Sequence, residues 1–193
     1  MSPNSLSERG RRFFRMIEFD QDEQLVGEIR KHPFGLLLIY LGGTAVSIVM
    51  LVVLAIVPAL LTSDPTGTGL DIGSMRSIMV AVSFLLVVLT IIMTAIAAYL
   101  YNSNVVIVTS EKITQMIYRT IFDRKISQLS IGDVQDVTVS QRGIFAHIFN
   151  YGTLTIETAG EQQNYTFTYT PNPYETAKLI VGSHEENLKK YGN

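Results

Sequence analysis

Hydrophobic and polar positions follow three different patterns along this chain. Residues 1–33 mix charged and apolar side chains densely. From Phe34 to Leu61 there are 28 residues without a charge, and from Ser77 to Tyr101 another 25. A hydrocarbon layer about 30 Å thick is crossed by roughly 20 helical residues, so both runs are long enough to span one with some tilt. The pattern predicts transmembrane helices over 34–61 and 77–101, joined by a connector at 62–76. A cleavable signal sequence is excluded, because its apolar region is roughly 7–15 residues behind a short basic start. Here the first run is much longer and follows 33 residues.

After Tyr101 the period changes to two. Val105–Val108 is a β-branched run, Ile113–Ile121 and Lys125–Leu129 read as strands, and Val137 and Val139 alternate with Asp136, Thr138 and Ser140. Leu154 and Ile156 alternate with Thr153 and Thr155, and Tyr165, Phe167 and Tyr169 with Thr166, Thr168 and Thr170. Such alternation between polar turns predicts an antiparallel sheet with one face buried. The last segment is helical, with Asn172 as N-cap, Pro173 at the first position and Glu175 in the first turn. Tyr174, Ala177, Ile180, Val181 and Leu188 form its expected apolar stripe. The fold class is therefore α+β: a helical hairpin, then a small antiparallel barrel or sandwich with a C-terminal helix.

Charge orients the hairpin. Arg30 and Lys31 precede the first apolar run, with Arg11, Arg12 and Arg15 upstream, whereas the connector holds Arg76 against Asp64 and Asp71. Basic flanks favour the cytoplasmic side, which places both termini in the cytoplasm of a multi-pass membrane protein. Residues 1–33 nevertheless carry six basic and six acidic groups, so they read mainly as a tail that sets topology. Neither span contains an ionisable Asp, Glu, Lys, Arg or His. That argues against a pump, and it weighs against a pore assembled from several hairpins. Gly43 and Ser47 in the first span, and Thr90 and Thr94 in the second, lie at similar depth in an antiparallel pair. They are candidates for close helix packing, though small residues are common in such helices anyway.

The segment Ser127-Gln128-Leu129-Ser130-Ile131-Gly132-Asp133-Val134-Gln135-Asp136-Val137 resembles the strand-turn-strand centre of bacterial pleckstrin-homology-like domains. So do Phe149-Asn150-Tyr151-Gly152-Thr153-Leu154 with Ile156-Glu157-Thr158-Ala159-Gly160, Val108-Thr109-Ser110-Glu111-Lys112-Ile113, and the terminal Pro171-Asn172-Pro173. The resemblance covers roughly Asn104–Gly182 and sets a PH-like domain at 102–182, leaving 183–193 as the end of the helix and a tail. It implies a seven-stranded module that binds rather than catalyses. Six strands follow the second apolar run, and 24–30 is a candidate for a missing edge strand.

Composition narrows the chemistry. The chain has no cysteine, which excludes disulfides, thiol catalysis and sulfur-ligated metal. His32, His147 and His184 lack metal-ligand spacing, Asp133 and Asp136 flank a turn, and no phosphate-binding or nucleophile motif is present, so no cofactor and no catalytic residue is expected. A net charge of −2 leaves no footprint for nucleic acid. Arg119, Arg124, Lys125 and Arg142 are candidates for a rim that contacts anionic lipid headgroups, although 102–193 carries eight basic against nine acidic residues. Ile144, Phe145, Ile148 and Phe149 share one face of a short helix and either plug the end of a barrel or form a patch for a partner or the bilayer. The expected function is a membrane-held, non-catalytic scaffold that contacts membrane proteins or itself. Alternatives are a sensor of anionic lipid or an oligomeric pore.

Overall fold

Val105–Val108 places four β-branched residues in succession, and a strand buried on one face alone does not need that. In a computed structural model, which describes residues 6–17, 23–61, 72–158 and 164–192, this run is strand β2 (Val105–Thr109), and all five of its residues are buried. It lies between β1 (Leu25–Arg30) and β3 (Lys112–Tyr118), and β4 (Arg124–Ser130) completes an antiparallel sheet ordered β1-β2-β3-β4. A single 3-10 turn, Ile131–Asp133, leads into a second antiparallel sheet of β5 (Val134–Ser140), β6 (Tyr151–Thr158) and β7 (Tyr165–Pro171). β1 comes from ahead of the first long apolar helix and pairs with β2 in the register Arg30↔Val105 and Ile29↔Val106.

The expected barrel is not closed. No ladder joins β4 to β5 or β1 to β7 among the described residues, so the two sheets form an open sandwich. β7 lies beside β1 at the seam without pairing with it along a ladder. Thr166, Phe167, Thr168 and Thr170 line a cavity of about 90 Å3 there with Arg30, Val105 and Met116. Between the sheets, Val106, Val108, Ile113, Leu129, Leu154, Ile156 and Phe167 form the main core.

The opposite face of β2 has its own cover. Helix α1 (Glu8–Phe14) buries Phe13 completely, and Leu6 and Ile17 join it against Leu25, Val105, Ile107 and Met116. The Ser7 side chain caps this helix by accepting from the Gly10 N–H at 3.0 Å, while the Ser7 N–H donates to Glu28 of β1 at 2.7 Å. The segment read from the sequence as a tail is thus, over 6–17, a layer of the sandwich. Arg11, Arg12 and Arg15 point outward from it, and Arg12 pairs with Glu8 at 2.9 Å in an exposed position.

Helix α5 (Pro173–Tyr191) packs across β5 and the 3-10 turn on a face that keeps Ala177 and Ile180 of the expected stripe but not the rest of it. Ile180 is fully buried, but Tyr174, Val181 and Leu188 are exposed. The packed face continues through polar residues. His184 Nδ1 lies 2.7 Å from the Ile131 carbonyl, Asn187 donates to the Ser110 carbonyl at 3.0 Å, and the Tyr191 hydroxyl donates to Glu111 at 2.8 Å. Asn172 does not cap the helix with its side chain. It adopts φ 43°, ψ 57°, a left-handed conformation that Asn tolerates, and its side-chain oxygen accepts from Asn150 at 2.8 Å. Because Ile180 is the main apolar plug of this helix, Ile180→Ala is expected to cost about 2–5 kcal/mol and Leu188→Ala far less. Urea denaturation of the full chain in detergent measures both.

Helices α2 (Pro33–Leu61) and α3 (Ile72–Ser103) carry the two apolar runs. The chain divides into two compact units, Met1–Leu36 with Leu100–Asn193, and Leu37–Tyr99. The first residues of α2 and the last of α3 therefore belong to the sandwich unit. In the helical unit Gly43 and Thr94 touch: a Cβ built on Gly43 would collide with the Thr94 side chain. Thr94 and Ser47 donate to carbonyls one turn back, those of Thr90 and Gly43, at 2.8 and 2.9 Å, and the Thr90 hydroxyl lies 3.8 Å from Met50 Sδ. The connector expected at 62–76 falls, over 62–71, outside the described residues.

Candidate functional site

The end of the sandwich from which α2 and α3 depart is built from rings. The two residues between β1 and α2 are Lys31 and His32, the first turn of α2 delivers Phe34, the last turn of α3 delivers Tyr101, and the second sheet delivers Tyr151 and Tyr169. Tyr151 stacks on Phe34 at 5.0 Å between centroids and on Tyr169 at 5.3 Å, and Tyr169 meets Tyr101 edge-on at 5.9 Å. Two hydrogen bonds tie this collar to the backbone: the Tyr101 hydroxyl donates to the His32 carbonyl at 2.7 Å, and the His32 N–H donates to the Tyr169 carbonyl at 2.6 Å. Lys31 Nζ sits 5.1 Å from the Tyr101 ring centroid, within cation–π range. Burial lowers the pKa of both Lys31 and His32, since each is partly withdrawn from water.

Tyr169 takes φ 56° inside a strand, a conformation that costs a non-glycine residue on the order of 1–3 kcal/mol. The collar holds it there through two ring contacts and its carbonyl. Phe34 and Tyr101 stand out in the sequence as aromatic ends of the two apolar runs, but His32, Tyr151 and Tyr169 do not, because their partners come from distant segments.

Helix α4 (Ile144–Ile148) joins the collar from the β5–β6 connection. Its Ala146 faces inward and is buried, whereas Ile144, Phe145, Ile148 and Phe149 are 75%, 60%, 67% and 44% exposed. A plug would be buried, so the plug reading does not hold. These residues form an open apolar face. One edge of it stacks on Phe34, with Phe149 at 4.9 Å and Phe145 at 5.6 Å.

The basic residues do not converge on a single site. Arg119 and Lys125 line a cavity of about 260 Å3 with Gln115, Ser127 and Asn164. Arg142 lines another of about 480 Å3, floored by Thr153, Thr155 and Thr168. Arg124 reaches Met16, its Nη1 3.8 Å from the sulfur, and Arg30 and Lys31 border the seam cavity under β7. Asp136 lies within β5 beside a register shift, and its carboxylate accepts from the Val137 N–H at 2.8 Å and from the Thr138 hydroxyl at 3.0 Å, so both its oxygens are engaged locally. His184 is bonded to a carbonyl and His147 is exposed on α4. Among the described residues no cluster of three His, Asp or Glu side chains is arranged to hold a metal ion.

A four-stranded and a three-stranded antiparallel sheet, open at the seam and closed by a C-terminal helix, define a pleckstrin-homology-like domain. The model of the family described as Bacterial PH domain matches residues 34–181, and the chain belongs to that family. A solved structure with 9% identity is a DUF1696 family protein with a pleckstrin-homology domain from Shewanella loihica PV-4, matched over 42% of this chain and 70% of that one with a TM-score of 0.35. No curated protein matches.

Proposed function

We propose that this chain is an integral membrane protein. Its two long helices cross the bilayer, both termini lie in the cytoplasm, and the PH-like domain is held at the inner surface as a non-catalytic binding module. The observation that carries the reading is the exposure of the helices. The spans Pro33–Val57 and Ser77–Ser103 have mean hydropathies of 2.5 and 2.8, and their most apolar stretches are not buried by the rest of the chain. A core helix of that composition would be covered by protein. Left bare, side chains such as Leu41, Phe84 and Leu85, each more than 60% exposed, require a hydrocarbon surrounding.

Tethering supplies function at low contact energy. A domain confined to a membrane meets other membrane-bound partners at a raised effective concentration, so weak surface contacts suffice. The open sandwich, with cavities on both sheets and charged side chains scattered over it, suits such contacts better than one deep ligand site.

With a fluorescent reporter that matures only in the cytoplasm fused after Asn193, the chain is expected to sediment with membranes after alkaline washing and to fluoresce. A product released by the wash, or a membrane-bound but dark fusion, overturns the reading.

A further inference from the structure

Resting on the membrane reading above, we propose that the apolar face of α4 is inserted in the bilayer interface, so that the PH-like domain touches lipid directly beside its anchor. Phe34 is the second residue of α2 and opens the apolar run, so a helix that crosses the bilayer starts its crossing there. Phe145 and Phe149 stack on that ring at 5.6 and 4.9 Å. Whatever depth Phe34 occupies, the face of α4 occupies nearly the same depth, one ring diameter away.

What the face presents fits that position. Ile144 and Ile148 project from it with 75% and 67% exposure, beside two phenylalanines. Apolar and aromatic side chains at the boundary of headgroups and acyl chains are stabilised by insertion of about 5–10 Å. The same end of the domain carries a second apolar tip. The β3–β4 hairpin closes beyond the pair Tyr118↔Arg124 with Phe122, 98% exposed, and the register Val105↔Met116 puts that turn at the end where β2 follows α3. The opposite end, where Tyr191 meets Glu111 of the β2–β3 turn, is polar.

The absence of cysteine permits clean single-site labelling of the full chain. Ile148→Cys, Leu89→Cys and Tyr191→Cys all replace exposed side chains, and the last removes one surface hydrogen bond, to Glu111, at the end of α5. Each variant is reconstituted in vesicles of phosphatidylglycerol and phosphatidylethanolamine with a bimane label. The vesicles contain lipid bearing a nitroxide either just below the headgroup or deep in the acyl chain. The label at Leu89 is expected to be quenched more by the deep nitroxide. The label at Ile148 is expected to be quenched several-fold more than that at Tyr191, and more by the shallow nitroxide than by the deep one. Quenching at Leu89 with none at Ile148 overturns the insertion while leaving the anchor intact, and is also the outcome if a second copy or a partner protein covers the face. No quenching at Leu89 removes the membrane reading and the insertion with it.

Discussion

Residues 102–193 expressed alone are expected to be unfolded or aggregated, whereas 6–36 joined to 100–193 by a short Gly/Ser linker folds. The shorter fragment contains all six strands that follow the long helices and the C-terminal helix, and by sequence it looks complete. It lacks β1 and α1. Without β1, the backbone of β2 becomes an open edge, and its N–H and C=O groups are available to any other strand. Without α1, the outer faces of Val105, Ile107 and Met116 are bared. Phe13, Leu6, Ile17 and Leu25 each contribute about 1.5–3 kcal/mol by burial, and a domain of this size has only about 5–15 kcal/mol in total. The loss is therefore comparable to the whole. A linker restores the missing layer because Gly35 and Tyr101 are in contact, so about eight flexible residues with a reach of roughly 15 Å bridge Leu36 to Leu100. Amide proton dispersion and a cooperative urea transition separate the two products. A dispersed spectrum from 102–193 would show that α1 and β1 are dispensable.

That contrast marks what was legible in the sequence. The strands after residue 101 announce themselves by period two, and the long helices by uninterrupted apolar runs. The β-branched succession Val105–Val108 is a visible sign of a strand covered on both sides, but it does not say what the second cover is. Leu6, Phe13 and Ile17 recur at helical spacing, and Ser7 is a good cap, yet six acidic and six basic residues over 1–33 hide that pattern. The contact face of α5 was hidden for the opposite reason: His184, Asn187 and Tyr191 dock by hydrogen bonds to backbone carbonyls and a carboxylate, which hydropathy does not register. Closure of a barrel depends on edge pairing, and the period of a strand carries no information about its neighbour. The collar was half legible. Its aromatic members next to the long helices are conspicuous, while Tyr151 and Tyr169 look like ordinary alternating strand residues until the second sheet is folded against β1. The basic candidates show the converse error, since nearness in sequence and sign of charge did not bring Arg119 and Arg142 to one cavity.

Phe13→Ala is expected to be the most damaging single truncation in α1, at about 3–5 kcal/mol, because a fully buried phenylalanine leaves both lost contacts and a cavity. Its neighbour Phe14 is only partly buried, so Phe14→Ala removes part of an already solvated contact. Arg12→Ala serves as the control: its pair with Glu8 is exposed on both sides, and such surface pairs contribute little. In urea titrations of the full chain in detergent, a slope of about 2 kcal/mol per M translates the Phe13 loss into a midpoint lower by roughly 2 M. Protease sensitivity should appear first in β1, because α1 holds it through the hydrogen bond from Ser7 to Glu28 as well as through Leu25. If Phe13→Ala and Phe14→Ala shift the midpoint equally, α1 is not docked on the sheet.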